Sequence, residues 1–319
     1  MSSLKYYETL PGGHSVKEGR KNSAASVSQR LINLSKKRGE DPNLVFIRYA
    51  IERLLYRISC SAQSDKFILK GAMLFATWTG RPHRPTKDLD LLGFGDASAE
   101  QLRNIFSQIC QTKVEPDGLE FNSDTIQITE IREEVEYPGQ RIRIESKLGN
   151  ARIKIQIDVG FGDSIVPEPI ELDYPTLLDM PSPHIRAYPI ETVVAEKLET
   201  IVSKGMVNSR MKDFFDLRTM ASEFQFDGHH LTEAIRATFT RRRTPIPHSE
   251  PAAFTDEFYT NADKQIQWTA FLRTGKLETG LLELAQVTDE IRSFLLEPMV
   301  AAANDESFTK NWAPGGPWK

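Results

Sequence analysis

Two aspartates separated by a single residue are the strongest chemical signal in the sequence. Asp88 and Asp90 stand in the stretch Arg84-Pro-Thr-Lys-Asp-Leu-Asp, which continues with the alternation of a β-strand. Because successive side chains of a strand point to opposite faces, both carboxylates share one face. Carboxylate oxygens are the ligands that Mg²⁺ and Mn²⁺ prefer. The pair predicts a metal site, although an isolated Asp-x-Asp more often marks a solvated turn or strand face.

A glycine turn precedes the aspartates. Phe67-Ile-Leu-Lys-Gly has the pattern of a short strand ending in glycine, and an apolar helix is expected from Ala72. Backbone N–H groups at the start of a helix can receive phosphate oxygens. Lys70 and Gly71 are therefore predicted to contact a nucleotide. A tight turn without any ligand is the simpler alternative, but the order of turn and aspartates favours a shared triphosphate.

A third acidic residue follows on a later strand. Segments 125–131, 141–147 and 151–159 alternate with period two, and the last two suggest a hairpin. Asp158 falls on the polar face of the third segment, opposite its isoleucines. Three carboxylates are what two-metal phosphoryl transfer uses, so Asp158 is a candidate third metal ligand. The alternative is an exposed aspartate on an edge strand.

The hydrophobic pattern predicts an α+β protein in three parts. Residues 1–40 form a polar N-terminal arm or a loosely attached helix. Residues 41–170 begin with an amphipathic helix and contain the strands of a mixed sheet flanked by helices. Residues 171–319 are a mainly helical C-terminal domain, and the boundary is expected near 165–185, within the proline-rich stretch 163–189.

Composition limits the class of protein. With 39% hydrophobic and 26% charged residues, the chain has the composition of an ordinary globular protein. Its two cysteines are too few for a disulfide framework. No apolar run approaches the roughly 20 residues of a membrane helix, and the charged N-terminus is unlike a signal peptide, so a cytoplasmic location is expected.

Binding of nucleic acid requires a local basic patch, because the net charge is −4. Arg241, Arg242 and Arg243 supply such a patch close to Phe239. They are predicted to hold phosphates while a base stacks on the ring. A short arginine run is, however, more often a solvated loop.

The order of these motifs resembles the nucleotidyltransferase superfamily that includes polymerase beta and the CCA-adding enzymes. More narrowly, the chain is similar to the AbiEii/AbiGii toxin family, including the mycobacterial Men-type toxins, over roughly residues 45–220. The residues that carry the likeness are Phe67-Ile-Leu-Lys-Gly-Ala-Met-Leu-Phe, Arg84-Pro-Thr-Lys-Asp-Leu-Asp-Leu-Leu, Ile155-Gln-Ile-Asp-Val-Gly-Phe-Gly-Asp, Ala195-Glu-Lys-Leu-Glu and Arg210-Met-Lys-Asp-Phe-Phe-Asp-Leu. Ala72 and Met73 depart from it, since the family usually has Gly or Ser followed by Ser or Thr there.

The resemblance implies roles for individual residues. Asp88 and Asp90 would bind Mg²⁺ or Mn²⁺, and Lys197 would contact the phosphates of an NTP from the helical domain. Asp213 and Asp216 lie at i and i+3 on one helix face, and one of them is expected in the active site. Asp213 is favoured, although spacing alone does not choose between the two.

The resemblance also implies regulation at the loop before Asp88. Thr86 stands where the Men-type toxins carry a hydroxyl residue that an antitoxin kinase can phosphorylate. A phosphate beside the metal carboxylates would repel an incoming triphosphate. Thr86 and its neighbour Lys87 are therefore placed with the nucleotide-contacting residues, and the alternative is that Thr86 only caps the following turn.

The function implied is that of a toxin from a toxin–antitoxin or phage-defence pair that transfers nucleotides from an NTP to the 3′ end of tRNA. Its partners would be tRNA and a cognate antitoxin, with no membrane. Two alternatives stay open: nucleotidylation of a protein or small molecule, and a non-catalytic regulator that binds NTP or nucleic acid.

Overall fold

A mixed seven-stranded β-sheet carries the predicted site residues. The computed structural model describes residues 22–80, 84–131, 139–277 and 282–319. The strands of the sheet are β1 (Phe67–Lys70), β2 (Asp88–Gly93), β3 (Leu119–Ile131), β4 (Gly139–Leu148), β5 (Ala151–Phe161), β6 (Ile170–Asp173) and β7 (His184–Ala187). Their order across the sheet is β3-β4-β5-β2-β1-β7-β6. A second, two-stranded sheet pairs β8 (Phe226–Asp227) with β9 (Asn311–Trp312).

The register of the central strands brings the predicted residues together. β2 runs parallel to β5, which places Asp158 beside Asp90, and antiparallel to β1, which places Lys70 on the other side of Asp90. β4 and β5 form the predicted hairpin. Asp158 therefore lies in the middle of the sheet, and the alternative of an edge-strand aspartate is wrong.

Helices flank this sheet and form most of the C-terminal half. They are α1 (Ala24–Arg38), α2 (Pro42–Ser59), α3 (Leu74–Thr79), α4 (Ala99–Gln111), α5 (Ile190–Lys204), α6 (Met211–Glu223), α7 (Gly228–Arg241), α8 (Asp256–Tyr259), α9 (Ala262–Gly275) and α10 (Leu284–Ala303). α2 packs on β5 and β7, and α4 on β3. α5 packs against α7, and α10 against α6 and α7. The mixed sheet with flanking helices and a helical C-terminal region confirms the predicted fold class.

Local chemistry explains where these elements begin. α2 starts at Pro42 because the Asp41 side chain accepts the Asn43 N–H, and proline suits the first helical position. In β5, Ile153, Ile155 and Ile157 are buried, while the alternating residues lie at least partly in solvent. The apolar face of β5 thus joins the core, and the face with Asp158 is left for the site.

The part of the predicted N-terminal arm that the structure describes is a packed helix rather than a loosely attached segment. Residues 1–21 lie outside the described residues, but 24–38 form α1, whose Val27 and Leu31 are fully buried. These two side chains and Ser35 lie one helical turn apart and pack against α2 and β4. This part of the arm is a packed helix, because a short apolar stripe sufficed to anchor it.

The sheet also continues beyond the predicted boundary at residue 170. β6 pairs with β7, and β7 pairs with β1 through Leu69 and Ala187. Four-residue strands separated by prolines are too short to show alternation, so the sequence pattern missed them. The mainly helical region begins at Ile190. No helix in the described part of the chain is long and apolar enough to cross a membrane.

Candidate active site

The glycine turn and the Asp-x-Asp strand are in direct contact. Gly71 follows β1 in the left-handed region with φ of 76°, and a Cβ placed there would lie 2.1 Å from Asp90 Oδ2. A turn of 3₁₀ helix covers Gly71–Met73 before α3 begins. Only glycine permits both this backbone conformation and this approach, so the turn and the carboxylate form one wall.

Ala72 and Met73, which differ from the residues usual in the resembled family, have different environments in the structure. Met73 is 4% exposed and belongs to the hydrophobic core, whereas Ala72 lines the cleft described below. The side chain at position 73 is therefore directed away from solvent, and methionine has no hydroxyl group that could contact a ligand there. The backbone N–H groups of the turn are unaffected by the change.

Asp88 and Asp90 lie on one face of β2, as predicted, and both are partly buried. Burial raises the pKa of Asp90 to about 6, and the charges of Lys70 and Lys212 oppose that rise. Burial, followed by the charge of Asp158, also raises the pKa of Asp88, which accepts a hydrogen bond from Gln156 Nε2 at 3.0 Å. A divalent cation would relieve the cost of holding two desolvated carboxylates together.

The donor set fits a magnesium ion that is shared with a substrate. Among the described residues no group of three His, Cys, Asp or Glu side chains is arranged to hold a metal by itself. Mg²⁺ is commonly bound by one or two carboxylates together with substrate phosphates, and Asp88 and Asp90 match that pattern.

Asp158 is paired in register with Asp90, but its carboxylate is bound by an arginine. Its two oxygens accept hydrogen bonds from Arg141 Nε at 2.8 Å and Nη2 at 2.7 Å, across the β4–β5 pair. This two-point contact neutralises the carboxylate and fixes the plane of the guanidinium. The structure thus adds Arg141, a residue that the sequence interpretation missed, to the polar face beside Asp88 and Asp90.

Lys197 lies on α5 and is held by both candidate aspartates of α6. Its Nζ is 2.8 Å from Asp213 Oδ1 and 2.8 Å from Asp216 Oδ2. Asp213 also accepts from Arg210 Nε at 2.7 Å, and Asp216 accepts two hydrogen bonds from Arg84 at 2.8 and 3.0 Å. Both carboxylates are almost completely buried, and the charge of Lys197 helps to lower the pKa of Asp213 against the effect of burial.

Asp213 and Asp216 are both close to Lys197, so the structure does not separate them by position. Both contact Lys197, so neither is a remote surface residue, and Asp216 also forms an ion pair with Arg84. Two of the three ammonium donors of Lys197 are occupied, which fixes its position and leaves one donor for a phosphate.

Lys70 is held in a similar way at the end of β1. Its Nζ lies 2.5 Å from Asp163 Oδ2 and 3.5 Å from Glu196 Oε1, and the Tyr188 hydroxyl donates to the same Asp163 oxygen. The nearby carboxylates raise the pKa of Lys70 against the effect of burial. Lys70 therefore joins the sheet to α5, and its contact with a nucleotide stays a prediction.

The three consecutive arginines have different surroundings. Arg242 Nη1 is 2.6 Å from Glu199 Oε2, and Arg242 Nη2 is 3.5 Å from Glu196 Oε1, so this residue ties the end of α7 to α5. Arg241 Nε donates to the Gly162 carbonyl. Arg243 has φ of 53° and lies just beyond the end of α7. Arg241 and Arg242 line the cleft, so the run is partly built into the protein.

Thr86 and Lys87 lie in the extended segment just before β2. Both are at least partly open to solvent. The charge of Lys87 opposes the rise in the pKa of Asp88, which indicates that the two are near each other. The hydroxyl of Thr86 therefore belongs to a residue that is two positions from Asp88 and accessible from solvent.

Many of these groups border one cleft between the sheet and helices α5–α7, with a volume of about 660 Å³, but the predicted site residues Thr86, Lys87, Asp88, Asp216 and Arg243 are not part of its lining. Its lining includes, from the predicted site, Lys70, Gly71, Asp90, Asp158, Lys197, Asp213, Arg241 and Arg242. It also includes Arg84, Arg141, Arg210 and Lys212, which were not predicted as site residues. Arg84, Arg210 and Lys212 stand inside the quoted motifs, so their motif position was the available signal.

Comparison with known proteins agrees with the motifs. The family model described as nucleotidyl transferase AbiEii toxin, type IV toxin–antitoxin system, matches residues 53–295, more than half of the chain. Two solved structures are similar at 12% identity. JHP933 from Helicobacter pylori has a TM-score of 0.47, covering 82% of this chain and 92% of that one. An H. pylori protein provisionally classed as a nucleotidyltransferase has a TM-score of 0.46, covering 82% and 95%.

No curated protein matches the sequence. The family match extends from the middle of α2 to α10, and so contains the glycine turn, the Asp-x-Asp strand and the Lys197 network. The chain belongs to the AbiEii nucleotidyl transferase toxin family of type IV toxin–antitoxin systems, and it is a nucleotidyltransferase.

Proposed function

We propose that this enzyme transfers a nucleoside monophosphate from an NTP to the 3′ end of tRNA and thereby blocks translation in the cytoplasm. The observation that carries the proposal is the cleft lined on one side by Asp90, which shares a strand face with Asp88, and on the other by Lys197 and its neighbouring cations. A triphosphate needs both features, since its charge must be neutralised on either side.

The residues divide the work of binding. Asp88 and Asp90 would hold Mg²⁺ or Mn²⁺, which supplies charge neutralisation for the triphosphate and the departing pyrophosphate. Asp158 would join them as a third ligand where its carboxylate exchanges Arg141 for the ion. Lys197, fixed by Asp213 and Asp216, would donate its remaining N–H to a phosphate oxygen. The backbone N–H groups at Gly71 would bind further phosphate oxygens.

The reaction is a displacement at the α-phosphorus. The acceptor hydroxyl oxygen forms a bond to that phosphorus and its proton passes to solvent, while the bond from the α-phosphorus to the bridging oxygen breaks and pyrophosphate leaves. The protein contributes chiefly by positioning the groups and by stabilising charge, because a loose phosphoryl transition state offers little covalent chemistry to a side chain.

For the acceptor, a local basic surface is required, since the chain carries a net charge of −4. Arg241 and Arg243 at the end of α7 are proposed to bind the phosphates of tRNA, next to the cleft that Arg241 and Arg242 line. The pairing of Arg242 with Glu199 gives that residue a supporting role.

A type IV toxin implies a cognate antitoxin, and we propose that a kinase of this kind acts on Thr86. A phosphate on Thr86 would add about −1.5 to −2 charges beside Asp88, where the Asp-x-Asp pair already carries negative charge. It would repel the incoming triphosphate and switch off transfer. A role of the pair in phage defence belongs to the same proposal.

Label transfer tests the function directly. Purified protein is mixed with total tRNA, Mg²⁺ or Mn²⁺, and each labelled NTP in turn, with Asp88→Ala as the inactive control and Asp305→Asn as the surface control. We expect label on tRNA with wild type and Asp305→Asn only. Absence of label from tRNA with all four NTPs overturns the tRNA acceptor. Label on a protein or small molecule instead indicates the first alternative, and NTP binding without pyrophosphate release indicates the regulator.

A further inference from the structure

Most cationic side chains that line the cleft are already paired with carboxylates of the protein. Arg141 binds Asp158 through two hydrogen bonds, and Lys197 binds two buried aspartates. The remaining pairs are Lys70 with Asp163 and Glu196, Arg84 with Asp216, Arg210 with Asp213, and Arg242 with Glu196 and Glu199. A ligand phosphate must compete with these internal partners.

Lys212 is different from these residues. It lines the cleft and is exposed on α6, between Met211 and Asp213, which are both buried. Within the described ranges, its ammonium group has no hydrogen bond or ion pair. Its charge nevertheless opposes the rise in pKa of both Asp88 and Asp90. Lys212 is thus an exposed cation on the helical side of the cleft, close to the two metal-site aspartates.

The surroundings of Lys212 are positively charged. Although the residue is exposed, partial loss of hydration of its ammonium group in the cleft, and then the charge of Arg210, lowers the pKa of Lys212, and Arg84 and Lys197 act in the same direction. Lys212 thus belongs to a group of four cations with Arg84, Lys197 and Arg210, and the carboxylates near this group include Asp213 and Asp216 on α6 and Asp88 and Asp90 on β2. An anion in the cleft would be attracted by all four of these cations.

We propose that Lys212 is a phosphate-binding residue that contacts the triphosphate of the NTP. This inference rests on the proposed function, because it takes the cleft to be the NTP site. The triphosphate is favoured over a backbone phosphate of the acceptor because Lys212 lies near Asp88 and Asp90, the residues proposed to share their ion with the nucleotide. Lys197 keeps its fixed position through its aspartates, and Lys212 supplies an ammonium group that forms no hydrogen bond or ion pair with the described residues.

Binding measured without any metal and without acceptor isolates this contact. Isothermal titration of each of the four NTPs in EDTA compares wild type with Lys212→Gln and Lys212→Arg. Lys37→Gln is the matched control, since Lys37 is an exposed lysine on α1 away from the cleft. We expect Lys212→Gln to weaken the tightest NTP roughly 10- to 100-fold, as the loss of a charge-assisted hydrogen bond does. Lys212→Arg and Lys37→Gln should stay within about 3-fold of wild type.

Inorganic tripolyphosphate identifies the part of the ligand that is bound. If Lys212 contacts the triphosphate, Lys212→Gln weakens tripolyphosphate as much as it weakens the NTP. Equal affinities of Lys212→Gln and Lys37→Gln for NTP would overturn the proposal, and so would a wild-type protein that binds no NTP in EDTA. A normal affinity for NTP with weakened tRNA binding would assign Lys212 to the acceptor and overturn it as well.

The melting temperature of the ligand-free protein separates binding from a structural role. Because loss of hydration and the charges of Arg210, Arg84 and Lys197 together disfavour the charged form of Lys212, Lys212→Gln should melt at or above the temperature of wild type. A lower melting temperature would make Lys212 a structural residue and overturn the proposal. The binding result does not depend on transfer, so failure to label tRNA would refute the acceptor while leaving the assignment of Lys212 intact.

Discussion

Replacing Gly71 with alanine tests whether the close approach of the turn to Asp90 matters. The φ of 76° costs a residue with a Cβ about 1–2 kcal/mol. The new Cβ would also lie 2.1 Å from Asp90 Oδ2 and 2.8 Å from Asp90 Cβ, so the carboxylate must retreat by about 1 Å. With overpacking worth about 1–3 kcal/mol, Gly71→Ala should lower the free energy of unfolding by about 2–5 kcal/mol.

The effect on catalysis follows from the same displacement. A shift of about 1 Å in a positioning group can reduce the rate roughly 100-fold, so tRNA labelling by Gly71→Ala should fall by that order. Gly39→Ala is the matched control, since Gly39 has φ of 65° and a Cβ added there would meet nothing within 4 Å. It should lose about 1–2 kcal/mol and keep its rate. Urea unfolding and labelling at saturating NTP measure both quantities.

The reasoning about Gly71 would be refuted by a Gly71→Ala protein that labels tRNA at the wild-type rate. It would equally be refuted by unfolding free energies that fall by the same amount in Gly71→Ala and Gly39→Ala. Either result would mean that Asp90 has room to move without consequence, and that the turn and the carboxylate are not one unit.

Three further outcomes follow from the site. Burial raises the pKa of Asp90 from 3.8 to about 6, so its neutral form stabilises the folded protein below about pH 4, and that contribution is lost as pH rises through about 6. In EDTA, Asp90→Asn should therefore unfold at a higher urea concentration than wild type at pH 8, and at the same concentration at pH 4. A difference between the two proteins that does not change with pH would contradict this. Asp216→Asn leaves two buried cations short of a partner and should cost about 3–5 kcal/mol in urea unfolding, whereas the control Asp305→Asn, at a 94% exposed side chain, should cost less than about 1 kcal/mol. Arg242→Gln, which leaves the buried Glu199 with its hydrogen bond from Thr244 but without its ion pair to Arg242, should lower the melting temperature by several degrees in a thermal scan, and an unchanged value would show that the contact between α7 and α5 is dispensable.

The strands of the site could be predicted because their residues alternate. β2, β4 and β5 each have enough residues for period-two alternation to show, and this alternation placed Asp88, Asp90 and Asp158 on polar faces before any pairing was known. β6 and β7 were missed because four residues between prolines carry no such pattern. α1 was underestimated because three buried positions in a polar segment give a weak signal.

The pairing of charges was decided only by the tertiary structure. The sequence determined that this chain has an Asp-x-Asp strand after a glycine turn, and the motif order indicated the family to which it belongs. It did not determine that Asp158 is bound by Arg141, that Lys197 is shared by Asp213 and Asp216, or that Lys212 is exposed at the cleft. Each of these facts depends on side chains from distant elements meeting at short range, and the strength of an ion pair depends on distance and burial, which spacing along the chain does not record.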